Sequence, residues 1–494
     1  MKTLSYILIF NILFIYNVLA QNFPKRELRG AWIATVANID FPSKKGLSKQ
    51  SLKSELIQIL DSLESFGFNT VIFQVRPSAD AFYKSKTEPW SEWLSGQQGV
   101  STKLDVLKFL VEESHKRGLE VHAWFNPFRV VFDSKSSIHP KSIASRHPEW
   151  LVSYGKGKML NPALPEARQY IVQCIMEVVN RYDIDAVHFD DYFYPYPKKN
   201  QPFPDSASFK KYGADFKNIA DWRRENINSL IQSVHLNLQK AKPHIKFGIS
   251  PFGVWRNKRE DALLGSDTRA SIPTYDSLYA DTRLWLEKGW IDYIAPQLYW
   301  TINFKIASYQ TLLNWWCQNS FDRHLYIGHA LYKVDTDSAW KNLSEIPNQI
   351  KLQRNSLASG SIFFSMNHLL KNRGGMADTL KTNYYSSKTL IPSMSWKDTI
   401  SPSTPSKAKV KFKRDELILK WKKSKNNSSK VWQYVVFENT DNELNNSSIV
   451  KVLPSKFRKL KLKKSMNRTY GKFGIVAVNR NYVMSKPILF EIKK

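Results

Sequence analysis

The fold is decided by a stretch that reads PEARQYIVQCIMEVVNRYDIDAVHFDD, residues 165–191. Its first part, Pro165 to Tyr182, predicts an amphipathic helix, and the short apolar run Ala186 to Asp190 predicts a β-strand. A helix that leads into a buried strand is the unit from which α/β folds with parallel sheets are built. The fold class therefore depends on how often this unit recurs along the chain.

The same alternation of strands and helices extends in both directions, from Arg29 to Ser365. The other predicted strands cover 29–35, 70–75, 120–125, 246–250, 293–297, 324–328 and 361–365, and the other helices cover 51–66, 103–117, 218–239, 275–288, 306–318 and 344–355. Eight such units predict a (β/α)8 TIM barrel. The alternative is an open doubly wound sheet, which usually carries a Gly-rich phosphate loop, and neither G-x-G-x-x-G nor a Walker A pattern is present.

The tail of the chain has a different pattern. Residues 391–405 are rich in Pro and Ser and predict a linker between a barrel domain at 21–390 and a module at 406–494. Alternating runs at 417–421, 431–437, 449–453 and 474–478 predict a small all-β, fibronectin-III-like sandwich. Trp421 and Tyr434 are its predicted core aromatics.

Composition narrows the function classes. Of the 494 residues, 42% are apolar, which excludes a wholly disordered chain, and the formal net charge is +30. Residues 406–494 hold 23 Lys and Arg against 6 Asp and Glu, a net charge of +17. The basic module suits an anionic envelope surface, although a general excess of lysine would give the same charge. We predict no nucleic-acid partner, because no basic helix or RNA-binding signature accompanies the charge.

The first twenty residues predict a signal peptide. Lys2 precedes the apolar run Leu4 to Leu19, and 18–20 (Val-Leu-Ala) fits a cleavage site. The prediction is an exported protein, periplasmic or secreted, and the alternative is an uncleaved membrane anchor. No later run is long and apolar enough to predict a transmembrane segment. Cys174 and Cys317 lie in predicted helices and are interpreted as free thiols.

Candidate site residues stand where the predicted strands end, because TIM-barrel active sites form at the carboxyl ends of the strands. Polar groups there would be costly in a closed core but can bind hydroxyls, while aromatic rings stack on sugars. The candidate substrate-binding residues are Trp32, Arg76, Asn126, Arg129, His188, Tyr192, Trp255, Gln297, Tyr299, Trp300 and His329.

Asp190 and Asp191, at the end of the fourth predicted strand, are the candidate catalytic residues. Adjacent carboxylates repel, so at least one pKa should rise, as a general acid requires. Neighbours on one strand tip do not flank a glycosidic bond, but they fit substrate-assisted cleavage, in which the 2-acetamido carbonyl of the sugar is the nucleophile. Asp190 is then assigned to orient the acetamido group, which Tyr299 could hydrogen-bond, and Asp191 to protonate the leaving oxygen.

Structural roles for the same residues remain open at this point. Asp191 could cap the following loop while Asp190 pairs with an arginine such as Arg76. Asp190, Asp191 and His188 could in principle bind a divalent ion, but the histidines lack close metal-ligand spacing. We predict neither a metal nor a cofactor.

Four motifs together resemble the bacterial glycosyl hydrolase-like family 10. They are 26–35 (RELRGAWIAT), 188–195 (HFDDYFYP), 249–257 (ISPFGVWRN) and 295–300 (APQLYW). The resemblance covers about residues 26 to 390, and it implies a barrel glycosidase that is exported and acts on peptidoglycan strands stripped of their peptides. The acid pair alone is also similar to that of substrate-assisted hexosaminidases.

Two hypotheses follow. The first is a glycoside hydrolase acting on N-acetylhexosamine-containing glycans, with denuded peptidoglycan as the expected, anionic substrate. The second is a non-catalytic glycan-binding or cell-wall protein, which explains the aromatics and the tail but leaves the acid pair without a role.

Overall fold

Eight parallel strands form a barrel in the computed structural model, which describes residues 26–490 except 134–135, 137, 414, 424–428, 440–448 and 464–471. The predicted signal peptide lies outside the described residues. In chain order, the first to eighth barrel strands are Leu28–Ile33, Thr70–Arg76, Glu120–Phe125, Ala186–Phe189, Lys246–Ile249, Tyr293–Ile294, a seventh in two pieces (His324–Leu325 and Ile327–Ala330), and Gly360–Phe364.

The seventh strand closes the barrel. It is interrupted at Tyr326, and its two pieces pair with different neighbouring strands. Its first piece pairs with the sixth strand, and its second piece pairs with the eighth. The remaining strands pair in sequence order from the first to the sixth, and the first also pairs with the eighth. The predicted (β/α)8 TIM barrel is confirmed.

The longer helices cover the outside of the barrel, and helices and short helical turns connect the strands. Their bounds are Lys49–Ser65, Glu92–Ser95, Val106–Lys116, Ile143–Arg146, Pro165–Arg181, Ser206–Tyr212, Ile219–Ala241, Thr274–Ser277, Thr282–Glu287, Tyr309–Gln318, Glu345–Arg354, Met366–Leu370 and Met376–Thr379, with shorter turns at Val36–Asn38, Pro148–Trp150, Leu331–Lys333, Arg373–Gly375 and Leu380–Tyr384. The prediction of a single helix at 275–288 is wrong, because the structure has two short helices there. Tyr279 takes a positive φ of 52°, and Asp281 caps a new helix by accepting from the N–H of Leu284.

Core packing follows the alternation of side-chain directions along each strand and the apolar stripe on one face of each helix. In the first strand, Trp32 points into the barrel, whereas Ala31 and Ile33 pack under the surrounding helices. Helix Pro165–Arg181 begins with proline in its first turn and buries an apolar stripe that includes Cys174. Cys174 and Cys317 both lie in helices and are free thiols, as predicted.

A three-stranded antiparallel sheet follows the third barrel strand and was not predicted. Its strands are Arg129–Val131, Leu151–Tyr154 and Gly157–Leu160, with the last in the middle. Because it grows from the carboxyl end of a barrel strand, it forms a wall beside the barrel mouth.

The C-terminal module is a sandwich of two antiparallel sheets, as predicted. One sheet contains Ser406–Lys413, Glu416–Lys422 and Lys459–Lys463, and the other contains Gln433–Asn439, Ile449–Pro454, Lys472–Val478 and Ile488–Phe490. Trp421 and Tyr434 are buried in its core with ring centroids 5.5 Å apart, which confirms their predicted place.

The module and the segment before it pack against the amino-terminal end of the barrel. Ile391 and Met394 are buried in one cluster with barrel residues, and the side chain of Arg480 pairs with Asp183 and Asp185 just before the fourth strand. The mouth at the carboxyl ends of the strands therefore stays clear of these contacts. The domain division at 21–390, 391–405 and 406–494 stays a prediction. None of the helices among the described residues is both long and apolar enough to cross a bilayer.

Candidate active site

A cavity of about 330 Å³ lies at the carboxyl ends of the barrel strands. We call it the acid-pair cavity, because both predicted catalytic carboxyls line it. Of the predicted site residues it contains Trp32, Arg129, Asp190, Asp191, Tyr192, Gln297 and Tyr299. Eight of its 18 lining residues are aromatic, which suits the apolar faces of sugar rings.

The two carboxyls of the acid pair have different partners. Asp190 accepts from the Asn126 side-chain amide at 3.3 Å and from the backbone N–H of Tyr192 at 3.2 Å. Asp191 accepts from the Gln297 amide at 3.3 Å and from the Tyr196 hydroxyl. The strand end thus turns one carboxyl toward the third strand and the other toward the sixth.

Burial raises the pKa of both carboxyls. The pKa of Asp191 reaches about 7, first because of burial and then because of the negative charge of Asp190. Burial also raises the pKa of Asp190, but the nearby Arg129 guanidinium opposes that rise. Because the neighbouring negative charge adds to burial at Asp191, this carboxyl is the one that holds a proton near neutral pH.

Arg129 supplies a positive charge to the cavity, and Tyr299 supplies a protonated phenol. The Arg129 guanidinium lies 4.4 Å from the ring centroid of Tyr192, which holds it over the cavity wall. Burial, together with the nearby Tyr332 and Asp191, raises the pKa of the Tyr299 phenol well above its usual value. Tyr299 thus keeps its proton and remains a hydrogen-bond donor.

His188 was predicted to bind substrate, but the structure places it below the cavity floor. The Trp32 indole N–H donates to its Nε2 at 3.2 Å, and its Nδ1 lies 2.9 Å from the Tyr293 hydroxyl. Burial lowers the pKa of His188 well below its usual value, so the ring is neutral. His188 therefore orients Trp32, and neither nitrogen is free for substrate or a metal.

Arg76 was also predicted to bind substrate, and this interpretation is wrong. Its guanidinium is fully buried, pairs with Glu88 at 2.6 Å and donates to the carbonyl oxygens of Asn126 and Pro127 at 2.7 and 3.0 Å. The alternative in which Asp190 pairs with Arg76 fails for the same reason. Arg76 instead holds the backbone that carries Asn126, a hydrogen-bond partner of Asp190.

We expect Glu88→Gln to destabilise the protein by about 3–5 kcal/mol, because the Arg76 charge would stay buried without an ionic partner. Urea unfolding followed by tryptophan fluorescence would measure the loss. The matched control is Glu112→Gln, which removes an exposed pair with Lys108 and should leave the unfolding midpoint nearly unchanged. Equal losses in the two variants would contradict this role of the buried pair.

Four other predicted binding residues do not line the acid-pair cavity. His329 is buried, with its ring nitrogens 3.0 Å from the Gln349 side chain and 3.2 Å from the Ser361 hydroxyl. Trp255 is buried and stacks on Trp315. Trp300 lies in a neighbouring cavity, described below. Asn126 acts through its hydrogen bond to Asp190 and also lines a second neighbouring cavity.

Several residues of the cavity were missed from the sequence. They are Ala34, Val36, Ala37, Ile39, Gln74, Trp124, Phe132, Tyr196, Ser250, Tyr332 and Phe364. Trp124 and Phe364 stand at the ends of the third and eighth strands, where the strand-end rule could have found them. Tyr332 comes from the turn after the seventh strand, and nothing in the sequence shows that this turn folds over the mouth.

Asp40 forms hydrogen bonds to residues that follow the first and eighth strands, at the rim of the mouth. Its carboxylate accepts from the backbone N–H of Ala34, from the Ser365 hydroxyl at 2.6 Å and from the backbone N–H of Asn367 at 2.8 Å. Burial raises its pKa to about 6. These contacts give Asp40 a positioning role. Among the described residues, no three His, Cys, Asp or Glu side chains are arranged to hold a metal ion.

A barrel that presents a buried acid pair in an aromatic-walled cavity at its carboxyl end has the architecture of a glycoside hydrolase. Comparison with known proteins agrees. The family model described as Glycosyl hydrolase-like 10 matches residues 27–342. The chain belongs to this family, and it is a glycoside hydrolase.

Two curated relatives cover most of the chain. Glycosyl hydrolase YngK of Bacillus subtilis (strain 168) is 50% identical over 396 residues, which is 78% of this chain and 77% of YngK. Glycosyl hydrolase DigH of Escherichia coli (strain K12) is 40% identical over 373 residues, 70% of this chain and 84% of DigH. Among solved structures, the PgaB (BpsB) glycoside hydrolase domain from Bordetella bronchiseptica is similar at a TM-score of 0.46 and 12% identity, over 73% of this chain and 99% of its own.

Proposed function

We propose that this glycoside hydrolase cleaves glycans containing N-acetylhexosamine by substrate-assisted catalysis, and that its substrate is peptide-free (denuded) peptidoglycan. One observation carries the proposal: two adjacent buried carboxyls line the cavity, and the pKa of one of them, Asp191, is raised to about 7. Adjacent residues on one strand tip are poorly placed to flank the scissile bond, which favours a nucleophile carried by the sugar itself, its 2-acetamido group.

The proposed mechanism has two steps. In the first, ionised Asp190 accepts from the acetamido N–H and orients the carbonyl oxygen, which attacks the anomeric carbon. At the same time Asp191 gives its proton to the leaving oxygen, and the glycosidic bond breaks. In the second step water attacks the anomeric carbon, Asp191 takes a proton from that water, and the acetamido group is restored.

Other residues of the cavity support this division of roles. Gln297 and Tyr196 hold the carboxyl of Asp191. The protonated phenol of Tyr299 is available to the acetamido oxygen, as the sequence suggests. Arg129 opposes the rise in the pKa of both carboxyls, but at Asp191 the negative charge of Asp190 outweighs it. The alternative of a non-catalytic glycan binder gives the raised pKa of Asp191 no role.

The experiment that tests this proposal incubates the purified enzyme with peptidoglycan strands before and after enzymatic removal of their peptides. Mass spectrometry should detect new chain ends only from the peptide-free strands. Each product should carry an intact N-acetylated sugar at its new end. Absence of new ends from both preparations would refute the proposed substrate.

We further propose that the protein is exported, periplasmic or secreted, and that the basic module holds it at an anionic envelope surface. The apolar segment Leu4 to Leu19 and the module's charge of +17 support this. The module's contacts at the amino-terminal end of the barrel are compatible with such binding, because the mouth stays clear. Deletion of 400–494 should abolish salt-sensitive retention on cell walls. Unchanged retention would contradict the proposed role of the module.

A further inference from the structure

Two further cavities adjoin the acid-pair cavity. One, of about 340 Å³, shares Arg129, Phe132 and Tyr192 with it, and we call it the cationic pocket. The other, of about 500 Å³, is the aromatic pocket, which contains Phe252, Trp300 and Phe304 and shares Tyr196, Gln297, Tyr299 and Tyr332. The three together form a cleft that passes over the acid pair and continues in both directions.

The cationic pocket has an excess of positive charge. Its described lining includes Arg129, Lys156, Lys158 and Lys198, and it includes neither Asp nor Glu. The three lysine residues are exposed at the pocket. The charge of Arg129 also acts on Asp190, so the three lysine ammonium groups are the cations left to attract and concentrate an anionic ligand.

The pocket is built on two connected parts of the fold. Arg129 and Lys158 lie on the small antiparallel sheet after the third barrel strand, and Lys156 lies in the turn between two of its strands. Lys198 comes from the loop after the fourth strand, where its backbone N–H donates to the Tyr154 hydroxyl at 2.8 Å. A Cβ at Gly155 would meet the Lys198 ammonium at 1.9 Å, so this glycine leaves room for that charge.

The aromatic pocket has a different character. Its cation is Lys333, whose ammonium already donates to the backbone carbonyl of Tyr299 at 2.8 Å. The rest of its described lining is mainly aromatic and aliphatic. The cleft is therefore cationic on one side of the acid pair and aromatic on the other.

The hydrogen bonds of the acid pair relate each pocket to one side of the scissile bond. Asp190 accepts a hydrogen bond from Asn126, which lines the cationic pocket. Asp191 accepts hydrogen bonds from Gln297 and Tyr196, which line the aromatic pocket. The sugar whose acetamido group Asp190 orients thus continues into the cationic pocket. The leaving sugar, which Asp191 protonates, continues into the aromatic pocket.

We propose that the cationic pocket binds a carboxylate carried by the glycan on the side of the sugar oriented by Asp190, and that this contact makes the enzyme prefer carboxylated over neutral glycans. The inference rests on the proposed function, because the acetamido role of Asp190 sets the direction. It goes beyond that function by naming the group that is recognised and the residues that recognise it.

The test compares two glycans that differ only in charge: peptide-free peptidoglycan strands, and the same strands with their carboxylates converted to methylamides. The variant is Lys156→Glu/Lys158→Glu, at two exposed positions. Its preference, the kcat/KM for carboxylated strands divided by that for amidated strands, should fall about tenfold through like-charge repulsion. The matched control, Lys240→Glu/Lys351→Glu, makes the same charge change on outer helices and should keep the wild-type preference.

The outcomes separate the two proposals. If the wild-type enzyme cleaves both strands equally, or if the pocket variant keeps the wild-type preference, the pocket does not recognise a carboxylate, while the proposed function stands. If the wild-type enzyme cleaves neither strand, the proposed function and this inference both fail.

Discussion

Asp191→Asn should lower kcat by about 10²–10⁴-fold while leaving glycan binding nearly intact. An amide of nearly the same shape can still accept from Gln297 through its oxygen, but it cannot give a proton to the leaving oxygen. Single-turnover assays on peptide-free strands would measure the rate, and calorimetric titration would measure binding. Asp215→Asn, an exposed aspartate outside the cavity, is the matched control and should keep wild-type activity.

The same assignment predicts the pH dependence of the wild-type enzyme. Asp191 acts in its protonated form, and its pKa lies at about 7. The protonated fraction therefore falls as pH rises through 7, and kcat/KM should fall about tenfold per unit at higher pH. Full activity of Asp191→Asn, or wild-type activity that persists undiminished to pH 9, would show that another group is the acid.

Asp190→Asn should lower kcat by about 10²–10³-fold, because the acetamido group loses the charge that polarises and orients it. A second effect distinguishes this role from mere packing. The negative charge of Asp190 helps to raise the pKa of Asp191, so its removal should lower that pKa. The alkaline limb of the residual activity should therefore move to lower pH.

A pH–rate profile of Asp190→Asn would measure this displacement against the wild-type profile. Asn126→Asp would serve as a counterpart, because an additional carboxylate beside Asp190 should move the limb to higher pH. An unchanged limb in Asp190→Asn would mean that the two carboxyls do not interact as the structure indicates.

The barrel could be predicted because its signal is local and repeated. Each buried strand follows an amphipathic helix, and the strand ends were placed within a few residues, as at Ala186–Phe189. The predicted helix 275–288 failed because Tyr279 adopts a left-handed backbone that no periodicity reveals. The module strands Ser406–Lys413 and Lys459–Lys463 were missed because they are lysine-rich edge strands with little buried apolar surface.

The candidate site could be predicted only in part, because a position at a strand end does not fix the partner of a side chain. Asp190, Asp191 and Gln297 reach the cavity, since they follow strands whose ends face one mouth. Arg76 also ends a strand, but Glu88, from the loop that follows, pairs with it. His329 meets Gln349 from a helix, again a contact that no local pattern encodes. Contacts with residues elsewhere in the chain therefore determine where the side chains of Arg76 and His329 lie.

Substrate assistance is the central claim, and the most direct test changes only the nucleophile. The wild-type enzyme would be given peptide-free strands whose 2-acetamido groups carry either acetyl or trifluoroacetyl, and reducing-end formation would be measured. Fluorine withdraws electrons from the carbonyl oxygen without adding charge, so the account predicts a rate lower by orders of magnitude on the trifluoroacetylated strands. Equal rates on the two strands would contradict it.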